Sequence, residues 1–427
     1  MQPVRATESV QCPTRTPATS VMVTVKSYSL GMPGTIARDE LIAFLQDLVR
    51  TSSQYLPAAG RSEAPAAELI VRQMRSWGWQ PEVWEVEPGR PNVVATINGG
   101  QPGPTLLFEG HTDVVSEGDP LKWTHPPYGA DIVDGRLYGR GSADMKSGVA
   151  AMLFAARALD LARPFPGRVV VAALVDEEGM MAGVKDFVAS GRAGGIDAAI
   201  ICEPEEREVC IAQKGAIRVR VTSWGRMAHG AMPERGLNPI PPIAAFVQRV
   251  AGLQEELQHA NGEHPYLGWD YITPTVVVAN RPEQLNVIPD RAFIWLDIRT
   301  TPVTDHSELL ARLRSMLGQN DELDVIDDRP PTETAKDHSL VLAVLEAHRA
   351  VYGETPAFGG VPGSTDGTIL WRDARIPIVT YGPGGKWIAH QVDEYVEVDE
   401  VVRAAEVYVE AARRFLSLGI ESSSKRV

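Results

Sequence analysis

The chain has 427 residues with 44% hydrophobic content, enough for one large and one smaller core, as expected of a cytoplasmic protein. Its formal net charge of -14 comes with no basic stripe, which argues against nucleic acid as a partner, and no apolar run approaches a membrane span. Cys12, Cys202 and Cys210 are sparse and irregularly spaced, so they read as reduced thiols rather than as a disulfide or zinc framework.

Residues 1–35 are rich in Ser, Thr, Pro and Val, without the continuous apolar core of a signal peptide, and read as an extension. From Glu40 to Val49 and from Glu63 to Trp77 the apolar spacing is helical, whereas Val83–Val86, Asn92–Ile97 and Thr105–Phe108 read as strands. This alternation predicts a layered α/β domain. His111 follows the last of these strands, so its imidazole should emerge at a strand's carboxyl end, where α/β active sites form. Asp113, two residues on, is placed to take the other ring N–H of a metal-bound His111.

Gly139-Arg140-Gly141-Ser142-Ala143-Asp144-Met145-Lys146-Ser147-Gly148 forms a glycine-rich turn that enters a helix over Val149–Leu161. It fits neither a dinucleotide fingerprint, which needs Gly or Ala at Asp144, nor a phosphate-binding loop, which needs Gly at Met145. Asp144 is instead placed to share its two oxygens between neighbouring cations. The apolar strand Val169–Val175 ends in Asp176-Glu177-Glu178, and adjacent carboxylates persist at a buried strand end mainly where a cation or proton relieves them. One acid can then bind metal while the other handles protons. Ala198–Ile201 leads likewise to Glu203, and a late glycine-rich segment carries His390.

Each element by itself is ordinary, since acids after strands are usually loop residues or caps. In order, His111, Asp144, Glu178, Glu203 and His390 give two cations four terminal ligands and one bridge, leaving Glu177 as a base.

After Ala212 the texture changes. Ile217–Thr222 alternates with period two, Pro239–Leu257 reads as a helix, Thr275–Val278 and Ala292–Asp297 as strands, His306–Leu317 as a helix and Asp324–Asp327 as a strand. This β-α-β-β-α-β order predicts an inserted ferredoxin-like α+β domain over 214–329, dividing a catalytic domain of 36–213 and 330–427.

With these motifs in place, the chain resembles the di-metal family of aminoacylases, carboxypeptidase G, acetylornithine deacetylase and succinyl-diaminopimelate desuccinylase, from about Ile36 to Phe415. The resemblance implies that His111 and Glu203 hold one metal and Glu178 and His390 the other, with Asp144 bridging and Glu177 the general base. It implies a cis peptide between Asp144 and Met145, and an inserted domain that acts as lid and dimer interface. By the same resemblance, His229 in Met227-Ala228-His229-Gly230 crosses the dimer to the substrate carbonyl, and Asn286, Arg299 and Thr365 lie in substrate-binding motifs. One position departs: relatives that bind an amino-acid carboxylate often carry Arg after the Asp-Gly of the late motif, whereas Asp366-Gly367 precedes Thr368. Arg372 and Arg375 are the nearby candidates to replace it.

The expected reaction is hydrolysis of a carbon–nitrogen bond, in the first place the amide of an N-acyl amino acid or related small carboxylate. Alternatives are hydrolytic removal of the amino group from an electron-poor ring such as a nitroanthranilate, a dipeptidase, and a non-catalytic binding protein on the same fold. Carboxylate and imidazole ligands without thiolate suit Zn or Mn, with Co a third choice.

Overall fold

A computed structural model describes residues 36–279 and 284–424; the extension read over 1–35, with Cys12, lies outside these. A nine-stranded sheet runs in the order Glu82–Glu87, Arg90–Asn98, Phe165–Leu174, Gly100–His111, Ala198–Ile201, Ile378–Thr380, Val209–Gln213, Thr332–Glu333, with Phe358–Val361 also paired to Val209–Gln213. The four strands Phe165–Leu174, Gly100–His111, Ala198–Ile201 and Ile378–Thr380 are mutually parallel. Their apolar runs are continuous because both faces are covered. Phe108, Val171 and Ile200 pack with helices Arg38–Arg50, Ser147–Leu161, Ser339–Tyr352 and Val398–Ser424. Leu107, Val170 and Ile201 face helices Ala182–Ala189 and Gly367–Ala374 on the other side.

Parallel pairing fixes where the chemistry gathers. His111 is opposite Leu174, and Ile201 is opposite Glu109, so Glu203 comes level with His111. Thr380 is opposite Ile201, and the loop carrying His390 leaves from that same end. Helix Ser147–Leu161 lies hard against this edge: a Cβ on Gly148 would stand 1.9 Å from the Cys202 carbonyl oxygen, so only glycine permits the approach.

The strand expected over Thr105–Phe108 runs from Gly100 to His111, because a register shift between Gln101 and Thr105 absorbs Pro102 and Pro104 without ending the ladder. His111 is thus its last residue. A small sheet of Tyr395–Glu397, Arg136–Tyr138 and Ile132–Val133 had no period to reveal it, each strand being two or three residues long.

Within 214–329, Tyr271–Ala279, Arg291–Thr300, Gly215–Trp224 and Asp321–Arg329 form an antiparallel four-stranded sheet in that order. Helices Ile240–Asn261 and His306–Ser315 supply Phe246, Val250, Leu309 and Leu313 to a separate core with Val219, Val221, Ile294 and Leu296. The strict alternation of Arg291–Thr300, inward at Ala292, Ile294, Leu296 and Ile298, follows from having one helix-covered face.

Candidate metal centre

Glycine at 141, with φ of 82°, turns the chain into the loop that carries Asp144, and the Asp144–Met145 peptide is cis. Asp144 presents its two oxygens in different directions. Oδ1 lies 3.0 Å from His111 Nε2, which is itself 3.5 Å from Glu203 Oε1. Oδ2 lies 3.3 Å from His390 Nε2, which is 2.8 Å from Glu178 Oε1. Two half-sites, each an imidazole with a carboxylate, therefore meet on one shared aspartate. Glu177 is buried beside them, with one ligand atom each from His111, Glu177 and Glu203 lying within 4.8 Å of one another.

Backbone hydrogen bonds hold the surroundings. Asp113 accepts from the Glu177 amide at 3.2 Å through one oxygen and from the Glu178 amide at 3.1 Å through the other. Its Oδ1 is 3.5 Å from His111 Nδ1, which also lies 3.0 Å from the Asp113 carbonyl. Asp113 thus touches both the imidazole and the acid pair.

Three supporting residues carry no sequence signal of their own. Glu394 is fully buried; its Oε1 accepts from the amides of Ala143 and Asp144 at 3.0 and 3.1 Å, and its Oε2 pairs with Arg140. Arg140 also donates to the His390 carbonyl at 3.2 Å, so one ion pair ties the Asp144 loop to the His390 loop. Lys146 is buried and donates to the carbonyls of Leu48 and Thr51 at 2.9 and 2.7 Å; burial lowers it to about 7.

The electrostatics are those of too many acids in too little water. Burial, then the charge of Asp144, pushes Glu203 up to about 8, and burial also raises Glu177, Glu178 and Glu109. Burial pushes Asp366 up to about 7. Hydrogen bonds donated to Asp144 and Glu178 raise His390 to about 10. For Asp144 burial opposes ionisation, yet the bonds from His111 and His390 outweigh it and hold the carboxyl below its ordinary range. Protons are thus retained where a cation would replace them, and the donor set of hard oxygens and imidazole nitrogens fits divalent metal.

The other expected site residues lie in three places. His229 is exposed on a short ladder in which Ala228–His229 pairs with Val287–Ile288. Its Nδ1 accepts from the Ala231 amide at 3.1 Å, and its Nε2 is 3.5 Å from Asn286 Nδ2, so these two residues share one surface. Arg299 is held by Asp297 at 2.6 and 3.1 Å. Thr365 meets Gln213 through both its amide, at 3.1 Å, and its hydroxyl, at 2.9 Å. The departure from the family pattern is absorbed structurally: Thr368 is buried and its hydroxyl donates to the Pro330 carbonyl. Of the nearby arginines, Arg372 is engaged by Asp373 and the Asp328 carbonyl, and Arg375 is exposed. Cys202 and Cys210 are free and buried, with Cys210 Sγ 3.1 Å from Glu205 Oε2.

A layered α/β fold that gathers acids and two imidazoles, His111 buried and His390 exposed, at one edge of its parallel strands defines a metal-dependent hydrolase. The chain belongs to peptidase family M20/M25/M40, whose description matches residues 107–414, and it acts on carbon–nitrogen bonds. It is 32% identical over 393 residues to succinyl-diaminopimelate desuccinylase of Methylobacterium radiotolerans, covering 87% of this chain and 96% of that one. It is 25% identical over 409 residues to a probable succinyl-diaminopimelate desuccinylase of Staphylococcus aureus, covering 90% and 99%. Among solved structures, an M20 family metallo-carboxypeptidase from Sulfolobus solfataricus superposes with a TM-score of 0.74 at 22% identity, covering 89% of this chain and all of that one. An aminopeptidase from Bacillus cereus gives 0.72 at 19%, covering 89% and 99%. These two likenesses speak for the fold alone. Among the described residues no helix is long and apolar enough to cross a membrane.

Proposed function

We propose that this protein hydrolyses the amide of an N-acyl amino acid or a related small carboxylate, with two divalent cations, Zn or Mn, in the centre. His111 and Glu203 would hold one, Glu178 and His390 the other, and Asp144 both. The observation that carries this reading is the division of the Asp144 oxygens between two imidazole–carboxylate pairs, at 3.0 and 3.3 Å. A relative named desuccinylase at 32% identity supports an acyl-amine substrate.

When bound, such cations lower the pKa of a water from about 15.7 to roughly 7. Glu177 would accept a proton from the attacking water and return it to the departing amine. Asp113 keeps Glu177 and Glu178 in place through their amides, so neither side chain is needed to shape the loop. His229, reaching from a second copy of the chain, donates to the developing oxyanion. The segment 214–329 serves as lid and dimer interface; the exposed Val276 and Val277 on its edge strand Tyr271–Ala279 support pairing there.

The test is turnover of metal-loaded enzyme on N-acyl amino acids including N-succinyl forms, on dipeptides and on nitro-substituted aromatic amines, with acid, amine and ammonia measured separately. Amide turnover is expected. Ammonia released from an aromatic amine without amide cleavage would replace this reading by attack on a ring carbon, and turnover confined to dipeptides would make the protein a dipeptidase.

The metal-free protein should also show a distinctive pH dependence. Glu203 is pushed up to about 8, and Asp366 and Glu394 to about 7, chiefly by burial. A carboxyl raised in the folded state binds more protons there than in the unfolded chain, so stability falls as pH climbs between the two values. The thermal midpoint of chelated protein is therefore expected to drop as pH rises from about 4 to about 8, and saturating metal to remove the drop. A flat profile without metal would show that these acids are not under strain.

Glu394→Gln is expected to weaken metal binding by about 10- to 100-fold, because the amide cannot serve Arg140 and the Asp144 loop together. Equilibrium dialysis with metal analysis reads this directly. Unchanged affinity would mean that the loop is set without Glu394.

A further inference from the structure

The chain passes from the 214–329 sheet back to the catalytic layers through Asp327, Asp328, Arg329 and Pro330, and this crossing is tied to the acid pair. Arg329 is buried, and its planar guanidinium makes two contacts at once: Nε donates to Asp327 Oδ2 at 2.6 Å and an Nη donates to the Gly179 carbonyl, also at 2.6 Å. Gly179 directly follows Glu178. On either side of Arg329 the main chain is anchored to helix Gly367–Ala374, with the Thr368 hydroxyl on the Pro330 carbonyl and Arg372 on the Asp328 carbonyl at 3.0 Å. The fork therefore starts from a fixed backbone.

The loop it reaches is gripped from other sides as well. Arg90 holds Asp176 Oδ1 at 2.6 Å, Asp176 Oδ2 accepts from the amides of Met180 and Ala182 at 3.1 Å each, and Asp113 holds the amides of Glu177 and Glu178. Lys185, from the helix that follows, donates to the Met180 carbonyl at 2.7 Å and stands 3.7 Å from Asp327. Apart from the approach of Lys185 to Asp327, those contacts arise within the catalytic layers. Arg329 brings in the domain on the other side of the crossing, and Asp327, its partner there, is buried with Arg218 at 3.5 Å.

We propose that Arg329 is a positioning residue for the reaction, one that couples the seating of the 214–329 domain to the placement of Glu177 and Glu178. This rests on the reading of those two acids as base and ligand. A fork is required because one group must satisfy a carboxylate and a carbonyl in fixed directions, which a single ammonium point charge does not do.

The test compares three variants with the parent by steady-state kinetics and by amide hydrogen exchange over residues 177–181. Arg329→Lys keeps the charge beside Asp327 and loses the carbonyl; kcat is expected to fall about 10- to 100-fold with KM little changed, and the loop amides to exchange faster. Asp327→Asn loosens the same fork from its other end and should move both readouts in the same direction; if Arg329→Lys does not fold, its exchange pattern decides. Arg218→Met removes another cation from Asp327 without touching the loop, and should leave kcat and loop exchange unchanged. A purely structural tie would lower the thermal midpoint of the first two variants while kcat and loop exchange stayed at parent values, and that result overturns the proposal. An equal loss in Arg218→Met overturns it too. Exchange is read without substrate or metal, so an error in the assigned reaction would appear in the parent enzyme's kinetics and leave this readout intact.

Discussion

Replacing Glu177 by Gln is expected to leave two metals per chain while turnover falls by about 100- to 10,000-fold, the range that a positioned general base contributes. The amide keeps the size of the side chain and removes its proton affinity. The loop shape does not depend on that side chain, because it is the backbone amide of Glu177 that Asp113 holds, at 3.2 Å. Geometry alone leaves a competing assignment, since Glu177 falls within 4.8 Å of His111 and Glu203 ligand atoms as a third member of that group. Metal analysis beside kinetics separates the two roles. If Glu177→Gln loses a metal together with activity, Glu177 is a ligand and the division of labour within the acid pair is wrong. Glu178→Gln, in contrast, should lose metal from the half-site it shares with His390.

The centre was legible in the sequence because parallel strands announce themselves. Each expected ligand before residue 204 follows a continuous apolar run or a glycine turn, and parallel pairing brings the ends of such runs to one edge. The alternation of Ile217–Thr222 and Ala292–Asp297 likewise exposed a sheet with one covered face. What supports the centre was not legible. Glu394 and Arg140 lie 254 residues apart in the chain, and nothing local to either shows that burial will pair them. Arg329 and Gly179 are 150 residues apart, with the contact running to a backbone carbonyl that any sequence would supply. Asp366 stood out in the sequence only as the residue ahead of a missing Arg, whereas its complete burial beside the centre comes from the packing of helix Gly367–Ala374 on the sheet. Patterns report on elements; buried ion pairs and hinge contacts depend on which elements the topology brings together.

His229→Ala is expected to lower turnover by about 100- to 1000-fold, the loss that follows removal of one oxyanion donor, or roughly 2.7 to 4 kcal/mol. Metal content should not change, because the contacts of His229 are with the Ala231 amide and Asn286 rather than with the metal-centre residues. Thermal stability should also hold to within about 0.5 kcal/mol, as for other exposed positions. The donor's origin can be tested by mixing. If His229 serves the active centre of a second copy, a heterodimer of His229→Ala with Glu177→Gln contains one centre free of both lesions and one carrying both. Random exchange in equal amounts makes about half the dimers mixed, so activity should recover to roughly one quarter of the parent value. If His229 serves its own chain, every centre in the mixture keeps one lesion and no recovery occurs. Exchange of subunits, checked by mass labelling, without recovery would therefore remove His229 from the neighbouring centre and with it the argument that the 214–329 domain completes the site across a dimer.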